Sequence, residues 1–275
     1  MKGFPDLGRC RIMGVLNVTP DSFSDGGAFL APDAAVAHGV DMIAAGADIV
    51  DVGGESTRPG AQRVDADEER RRVLPVVRAL AQLAPVSIDT QHATVAEACL
   101  DAGAVLVNDV SGGRADPAML PLLAATGAPV VLMHSRGDSA DMKATAHYED
   151  VVIEVRDELA RRLEAALSAG VEADAVVLDP GIGFHKIGAQ NWQVLAGLDV
   201  LQGLGRPLLV GTSRKTFLGT LLGSGDGPRP VDDRAAASLA AATLSARAGA
   251  WGVRVHDVRP TADALRVVEA WDTAR

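Results

Sequence analysis

Eight short apolar segments recur along the chain, and each ends in polar residues or glycine. They cover residues 11–18, 47–53, 85–90, 104–110, 128–134, 175–180, 207–213 and 251–257. Their apolar residues run continuously instead of alternating with polar ones, which is typical of parallel strands covered on both faces. Amphipathic, alanine-rich stretches at 33–45, 65–83, 151–169, 232–248 and 261–270 have helical spacing. The pattern predicts an α/β protein of eight β/α units.

The number of units decides between two folds. A (β/α)8 TIM barrel takes about 250 residues, and the chain has 275. We therefore predict a TIM barrel that forms a single domain over residues 1–275. The competing fold is a doubly wound sheet, which usually carries a glycine-rich dinucleotide-binding turn after its first strand. This chain has LNVTPDSFS at that position.

Composition and charge narrow the range of partners. The net charge is −10, and nucleic-acid binders usually present a basic face, so we expect no nucleic-acid partner. Two cysteines, Cys10 and Cys99, are too few for a disulfide framework. The first residues lack an apolar signal core, and no apolar run approaches the ~18–20 residues that span a bilayer. We expect a cytoplasmic, soluble protein with no membrane partner.

Polar side chains stand at the ends of the predicted strands. In a TIM barrel these ends all open onto one face. The carboxylates of Asp89 and Asp179 and the amide of Asn108 would therefore share one mouth. Carboxylate oxygens match a planar heterocycle that offers adjacent N–H donors, such as a guanine or pterin edge. Taken singly, each residue could instead be structural, as Asp89 would be if it capped the following helix.

Cations come from the last two predicted strands. Lys215, Arg254 and His256 lie where TIM barrels often bind phosphate, and Arg254 and His256 alternate along one strand. The group suits an anionic leaving group, although His256 could instead be a core histidine. The other polar residues at strand ends are Asn17, Glu55, Thr57, Arg58, Asp109, His134, Ser213, Arg214 and Asp257.

Seven motifs in order along nearly the whole chain carry a resemblance to a known family. They are GVLNVTPDSFSDGG (14–27), DVGGESTRPGA (51–61), SIDT (87–90), VNDVSGG (107–113), LDPGIGF (178–184), GTSRK (211–215) and RVHDV (254–258). The chain resembles the dihydropteroate synthase family in all of them, and the first two are long and specific. The resemblance implies a pterin-binding TIM barrel of the folate pathway. Its reaction joins (7,8-dihydropterin-6-yl)methyl diphosphate to 4-aminobenzoate and yields 7,8-dihydropteroate and diphosphate.

The resemblance also implies a role for each matching residue. Asp89, Lys215, Arg254 and His256 would be catalytic, and the pterin would be bound by Asp89, Asn108, Met133, Asp179, Lys215 and Arg254. The diphosphate would be bound by Asn17, Thr57, Arg254 and His256. Asn17 would also bind Mg²⁺, the implied cofactor, which the diphosphate would mainly hold. The aminobenzoate pocket would comprise Thr57, Arg58, Pro59, Phe184 and Ser213.

The resemblance also implies two closing loops, a reaction mechanism and a homodimer. Phe23 and Asp25 would help to order two closing loops, at about 18–30 and 56–64, around Arg58. We expect an SN1-like departure of diphosphate assisted by Mg²⁺. Sulfonamides mimic p-aminobenzoate in this family, so we expect the protein to be a sulfonamide target. The family is commonly dimeric, and we expect a homodimer with residues 232–248 as a plausible contact.

Three alternative functions are also compatible with the sequence. A methyltetrahydrofolate methyltransferase barrel shares pterin recognition but needs neither the diphosphate-binding cations nor the STRPGA loop. A non-catalytic pterin-binding paralogue would have a regulatory or scaffolding role. A phosphate-binding barrel of unrelated metabolism is the third alternative. Diphosphate release from the two substrates together separates catalysis from mere binding.

Overall fold

Eight parallel strands form one continuous sheet in the computed structural model, which describes residues 1–19, 31–55, 64–137, 144–224 and 227–274. The strands are β1 (Arg11–Asn17), β2 (Ile49–Gly53), β3 (Val86–Asp89), β4 (Leu106–Asp109), β5 (Val130–Met133), β6 (Val176–Asp179), β7 (Leu209–Val210) and β8 (Gly252–Val255). Their order is β6-β5-β4-β3-β2-β1-β8-β7. A parallel bridge between Leu178 and Leu208 joins the two outer strands and closes the barrel. The predicted (β/α)8 TIM barrel is thus confirmed over the doubly wound sheet.

Ten α-helices lie in the described part of the chain. They are α1 (Ala31–Ala44), α2 (Ala66–Leu80), α3 (Ala93–Asp101), α4 (Met119–Thr126), α5 (Val151–Ser168), α6 (Ala189–Ala196), α7 (Leu198–Gln202), α8 (Thr216–Leu222), α9 (Ala235–Arg247) and α10 (Val258–Thr273). The five predicted helices correspond to α1, α2, α5, α9 and α10. The other five have nine residues or fewer, so each contains too few turns to show a clear helical period.

Local sequence explains where the longer helices begin. Asp65 caps α2 by accepting a hydrogen bond from the Glu68 amide at 2.8 Å, and Asp150 caps α5 in the same way. Helix α9 begins three residues later than predicted because residues 231–234 form a 3₁₀ turn first. Helix α10 begins three residues earlier than predicted, and its Pro260 falls in the first turn, where the missing N–H has no intrahelical partner to lose.

Side chains inside the barrel form a separate apolar layer. Alternate strand residues point inward, and the inward cluster contains Met13, Ile49, Leu106, Val131, Val177 and Leu209, with Phe4 against them. The outward residues pack against the helices in the main core. We call this inward layer the apolar floor. Polar residues that come after it, toward the carboxyl ends of the strands, therefore lie directly above the apolar floor. None of the described helices is long and apolar enough to cross a lipid bilayer.

Candidate active site

Strand pairing brings the predicted carboxylates and amide to the same rim. Asp89 on β3 pairs in register with Asn108 on β4, and Gly53 on β2 pairs with Asp89. Further along the sheet, β5 adjoins β4, and Met133 on β5 pairs with Asp179 on β6. Each of these residues is the last or the last but one of its strand, so they line the carboxyl-terminal mouth of the barrel, where TIM barrels carry out their chemistry.

Arg254 reaches across this mouth from β8. Its Nε donates to Asp51 Oδ2 at 2.6 Å, and its Nη2 donates to Asp89 Oδ2 at 2.7 Å. Asn108 Nδ2 donates to the same Asp51 oxygen at 3.0 Å. Burial lowers the pKa of Arg254, but the charges of Asp51 and Asp89 more than compensate, so that the pKa is raised and the guanidinium stays charged. Asp51 thus joins Arg254 to Asn108, and Arg254 in turn joins Asp51 to Asp89.

Asp51 was not identified as a site residue from the sequence. It lies in the second motif, yet its role depends on contacts with residues more than 50 positions away. One local signal was available, because a single carboxylate interrupts the apolar run IVDVG of a buried strand. A charge at such a position is expected only where it is paired.

Asp179 and Lys215 lie together on the other side of the mouth. Burial lowers the pKa of Lys215 to about 8, while the negative charge of Asp179 opposes this shift. Lys215 Nζ donates to the carbonyl of Ile182 and lies 4.6 Å from the centroid of the Phe184 ring. Burial likewise raises the pKa of Asp179, opposed by Lys215. The predicted pterin contacts and the aromatic ring of the predicted aminobenzoate pocket therefore adjoin one another.

His256 and Ser213 form a second link at the ends of β7 and β8. His256 Nδ1 lies 3.0 Å from Ser213 Oγ, and the His256 amide donates to the same hydroxyl at 3.3 Å. Strand β8 ends at Val255, so His256 follows it instead of belonging to it. The structure thus joins a residue predicted to bind diphosphate to one predicted to bind aminobenzoate.

Asn17 ends β1 beside Asp89. A side-chain carbon built on Gly53 would lie 3.7 Å from both Asn17 Oδ1 and Asp89 Oδ2, so the glycine leaves room between these two oxygens. No group of three histidine, cysteine or acidic side chains able to hold a metal occurs among the described residues. A single amide oxygen fits Mg²⁺ if a substrate supplies most of the remaining oxygen ligands.

Other polar residues at strand ends have structural partners. Asp109 accepts from the amides of Ser111 at 2.7 Å and Gly113 at 2.8 Å, and so stabilises a turn. Arg214 and Asp257 pair with each other at 2.8 Å. The predicted residues Phe23, Asp25, Thr57, Arg58 and Pro59 lie outside the described residues.

A buried lysine supports the turn that carries Phe184. Lys186 is only 4% exposed, and its Nζ donates to Gly181 O at 3.0 Å, to Phe184 O at 3.1 Å and to His134 Nδ1 at 2.9 Å. His134 Nε2 in turn donates to Glu158 at 3.0 Å. From the sequence, His134 was predicted only as a strand-end residue, and Lys186 was not identified as a site residue.

The arrangement can bind a flat, polar ring and an anion side by side. Carboxylates accept hydrogen bonds from ring N–H groups, a buried lysine donates to a ring acceptor, and the guanidinium attracts negative charge. The charges are fixed by hydrogen bonds before any ligand arrives, which is the condition for electrostatic stabilisation of a transition state.

Comparison with known proteins agrees with this chemistry. A family model described as pterin binding enzyme matches residues 13–256. The chain is 55% identical over 268 residues to the dihydropteroate synthase of Mycobacterium leprae, covering 96% of this chain and 94% of that relative. A dihydropteroate synthase structure from Xanthomonas albilineans with 4-aminobenzoic acid has a TM-score of 0.89 and 47% identity, covering 96% and 93% of the two chains. Another from that organism, in complex with 7,8-dihydropteroate, has a TM-score of 0.87 and 44% identity, covering 98% and 95%.

Proposed function

Because the chain belongs to the pterin-binding enzyme family, among the dihydropteroate synthases, we propose that it joins a pterin diphosphate to 4-aminobenzoate. It is a transferase, and the proposed products are 7,8-dihydropteroate and diphosphate. One observation carries the proposal: Arg254 lies across the mouth on Asp89, and Asp179 faces Lys215 in the same mouth. The similar structures that contain 4-aminobenzoic acid and 7,8-dihydropteroate support the proposed second substrate and the proposed product.

The pterin is proposed to lie flat over the apolar floor. Asp89 and Asp179 would accept hydrogen bonds from its N–H groups, and Asn108 would use its amide at the flanking edge. Lys215 would donate to the ring carbonyl. Met133, which is buried at the end of β5, would pack against the ring.

The bond that breaks joins the methylene carbon to a diphosphate oxygen. We propose an SN1-like step in which the oxygen keeps the bonding electrons and positive charge develops on the methylene and ring. Arg254 and His256 would stabilise the departing diphosphate, and Asp89 would stabilise the developing positive charge. Asn17 would hold Mg²⁺ together with the diphosphate, and the bound ion would neutralise phosphate charge.

The lone pair of the 4-aminobenzoate amine then forms the new carbon–nitrogen bond, and the nitrogen releases one proton to water. An aromatic amine is weakly basic and already unprotonated at neutral pH, so the step needs no strong general base. Phe184 and Ser213 are the described residues of the proposed aminobenzoate pocket. The roles of Thr57, Arg58 and Pro59 in that pocket, and of Phe23 and Asp25 in the loops, stay predictions from the resemblance.

Product formation tests the proposal directly. Purified protein is mixed with both substrates and Mg²⁺, and diphosphate and 7,8-dihydropteroate are measured, with each component omitted in turn. A methyltransferase or a non-catalytic pterin-binding protein would release no diphosphate.

Lys215→Ala should lose most turnover, whereas near-normal kcat/KM would contradict its role. A sulfonamide should compete with 4-aminobenzoate, and non-competitive inhibition would place the two in different sites.

Arg254 has a test of its own. Arg254→Ala should weaken binding of the pterin diphosphate more than binding of the free pterin, because only the first carries the anion. Calorimetry with both ligands measures the difference. Equal losses for the two ligands would refute the diphosphate assignment.

The proposed homodimer uses the outer face of the last two helices. Leu244 on α9 is 66% exposed, and Val267 and Trp271 on α10 are 64% and 62% exposed. Exposed apolar side chains on neighbouring helices are typical of a protein contact. Leu244→Glu should shift the sedimentation coefficient from dimer to monomer, and an unchanged dimer would exclude this face. The cytoplasmic location stays a prediction.

A further inference from the structure

Asp51 occupies the centre of the polar network without belonging to any predicted substrate contact. Its Oδ2 accepts from Arg254 Nε at 2.6 Å and from Asn108 Nδ2 at 3.0 Å. The side chain is fully buried. One carboxylate oxygen thus ties a residue on β8 to a residue on β4, across the interior of the barrel.

The hydrogen bonds decide which atoms of the two partners are left for a ligand. An arginine side chain has five N–H donors in a fixed fork, and Asp51 and Asp89 each take one of them from Arg254. Asn108 gives one N–H to Asp51, so its carbonyl oxygen and its second N–H remain. Because a carboxylate only accepts, the amide of Asn108 cannot turn its oxygen toward Asp51 without losing the bond.

We propose that Asp51 is a positioning residue that holds Arg254 and Asn108 in the orientation that binds the pterin diphosphate. The inference rests on the proposed function and deepens it. Asp89 is itself proposed to bind the pterin, so its bond to Arg254 competes with substrate. Asp51 does not bind the pterin, so it stays bonded to Arg254 while the substrate binds and the diphosphate departs. This bond keeps the guanidinium from following the diphosphate out of the site.

A neighbouring residue offers a matched control. Ser87 on β3 pairs in register with Asp51 on β2 and is equally buried. Its hydroxyl has no hydrogen-bond partner among the described residues, and the same holds for Asp51 Oδ1. Ser87→Ala therefore changes the polarity of the same part of the barrel without removing a described contact to Arg254 or Asn108.

Calorimetry with the pterin diphosphate and Mg²⁺ tests the proposal on the full chain. Asp51→Ala should weaken binding at least about 30-fold, as expected when one partner of a buried charge pair is removed. Ser87→Ala should stay within about 2-fold of wild type. Asp51→Asn keeps an oxygen acceptor without the charge and should fall between them. In Asp51→Asn, the KM for 4-aminobenzoate should change by less than about 3-fold. A general loss of structure would instead raise both this KM and the Kd of the pterin diphosphate.

The double variant Asp51→Ala/Arg254→Ala distinguishes positioning from independent binding. If Asp51 acts through Arg254, the combined loss should be at least about 10-fold smaller than the product of the single losses. If Asp51→Ala does not fold, as judged by circular dichroism, Asp51→Asn takes its place in the cycle. Strictly multiplicative losses, or a Ser87→Ala loss as large as that of Asp51→Ala, would overturn the inference. Ligand binding tests Asp51 even if no product forms, whereas absent product would refute only the proposed function.

Discussion

Replacing Lys186 by methionine should destabilise the fold by about 2–4 kcal/mol, although both side chains have similar length. Three acceptors surround the Lys186 Nζ, which matches the three N–H donors of an ammonium group. Gly181 O would keep a partner, because it also accepts from the Phe184 amide at 3.0 Å. Phe184 O and His134 Nδ1 have no second partner among the described hydrogen bonds.

The magnitude follows from these two atoms. A buried acceptor that loses its partner costs about 1–3 kcal/mol, so the two together cost about 2–6 kcal/mol. Removing the ammonium also removes the cost of burying a charge, which is several kcal/mol and is reflected in the strongly lowered pKa of Lys186, caused first by burial. The acceptors already offset most of that cost in the native protein, so we expect a net loss at the lower end of the range.

Urea unfolding at pH 7, followed by circular dichroism, measures the effect. Lys2→Met is the matched control, because Lys2 makes an exposed ion pair with Glu172 at 2.5 Å that should contribute less than about 1 kcal/mol. Lys186→Met should lower the urea concentration at the unfolding midpoint clearly more than Lys2→Met does. The m-value, which is the slope of the unfolding free energy against urea concentration, should stay unchanged. Equal midpoints for the two variants, or a more stable Lys186→Met protein, would refute the view that the ammonium holds this turn.

Three further outcomes are expected. Burial lowers the pKa of Lys215 to about 8, so pterin affinity should fall as the pH rises through that value and the ammonium loses its charge; Lys215→Arg should remove this step from the pH profile of kcat/KM. Burial lowers the pKa of His134 to about 3, against about 6.5 when unfolded. Between these values the unfolded chain binds one more proton, so the free energy of unfolding should fall on acidification by up to about 1.4 kcal/mol per pH unit, and His134→Asn should flatten the slope. A side-chain carbon on Gly181, where φ is +63°, would lie 2.0 Å from His134 O, whereas Gly188, at φ +48°, has nothing within 4 Å. Gly188→Ala should cost about 1–3 kcal/mol through backbone strain alone, and Gly181→Ala should lower the melting temperature further and reduce turnover.

The sequence alone was enough to predict the barrel and one rim of its site. Continuous apolar segments mark buried parallel strands, and eight of them match the number in a TIM barrel of about 250 residues. The absence of a glycine-rich dinucleotide turn after the first strand counted against the doubly wound sheet. The carboxyl ends of parallel strands lie on one face, so Asp89, Asn108 and Asp179 could be placed together from their positions in the chain. The short helices α3 and α8 could not be predicted, since nine or seven residues show too little periodicity.

Only the tertiary structure revealed how these side chains are held. Asp51 meets Arg254 across 203 positions of the chain, and Lys186 meets His134 across 52. Strand periodicity assigns a residue to the inner or outer face, but it does not specify which inward charges touch, because that depends on strand stagger and on side-chain rotamers in the closed barrel. A buried charge within an apolar strand indicates that a partner exists, and only the packed fold identifies that partner.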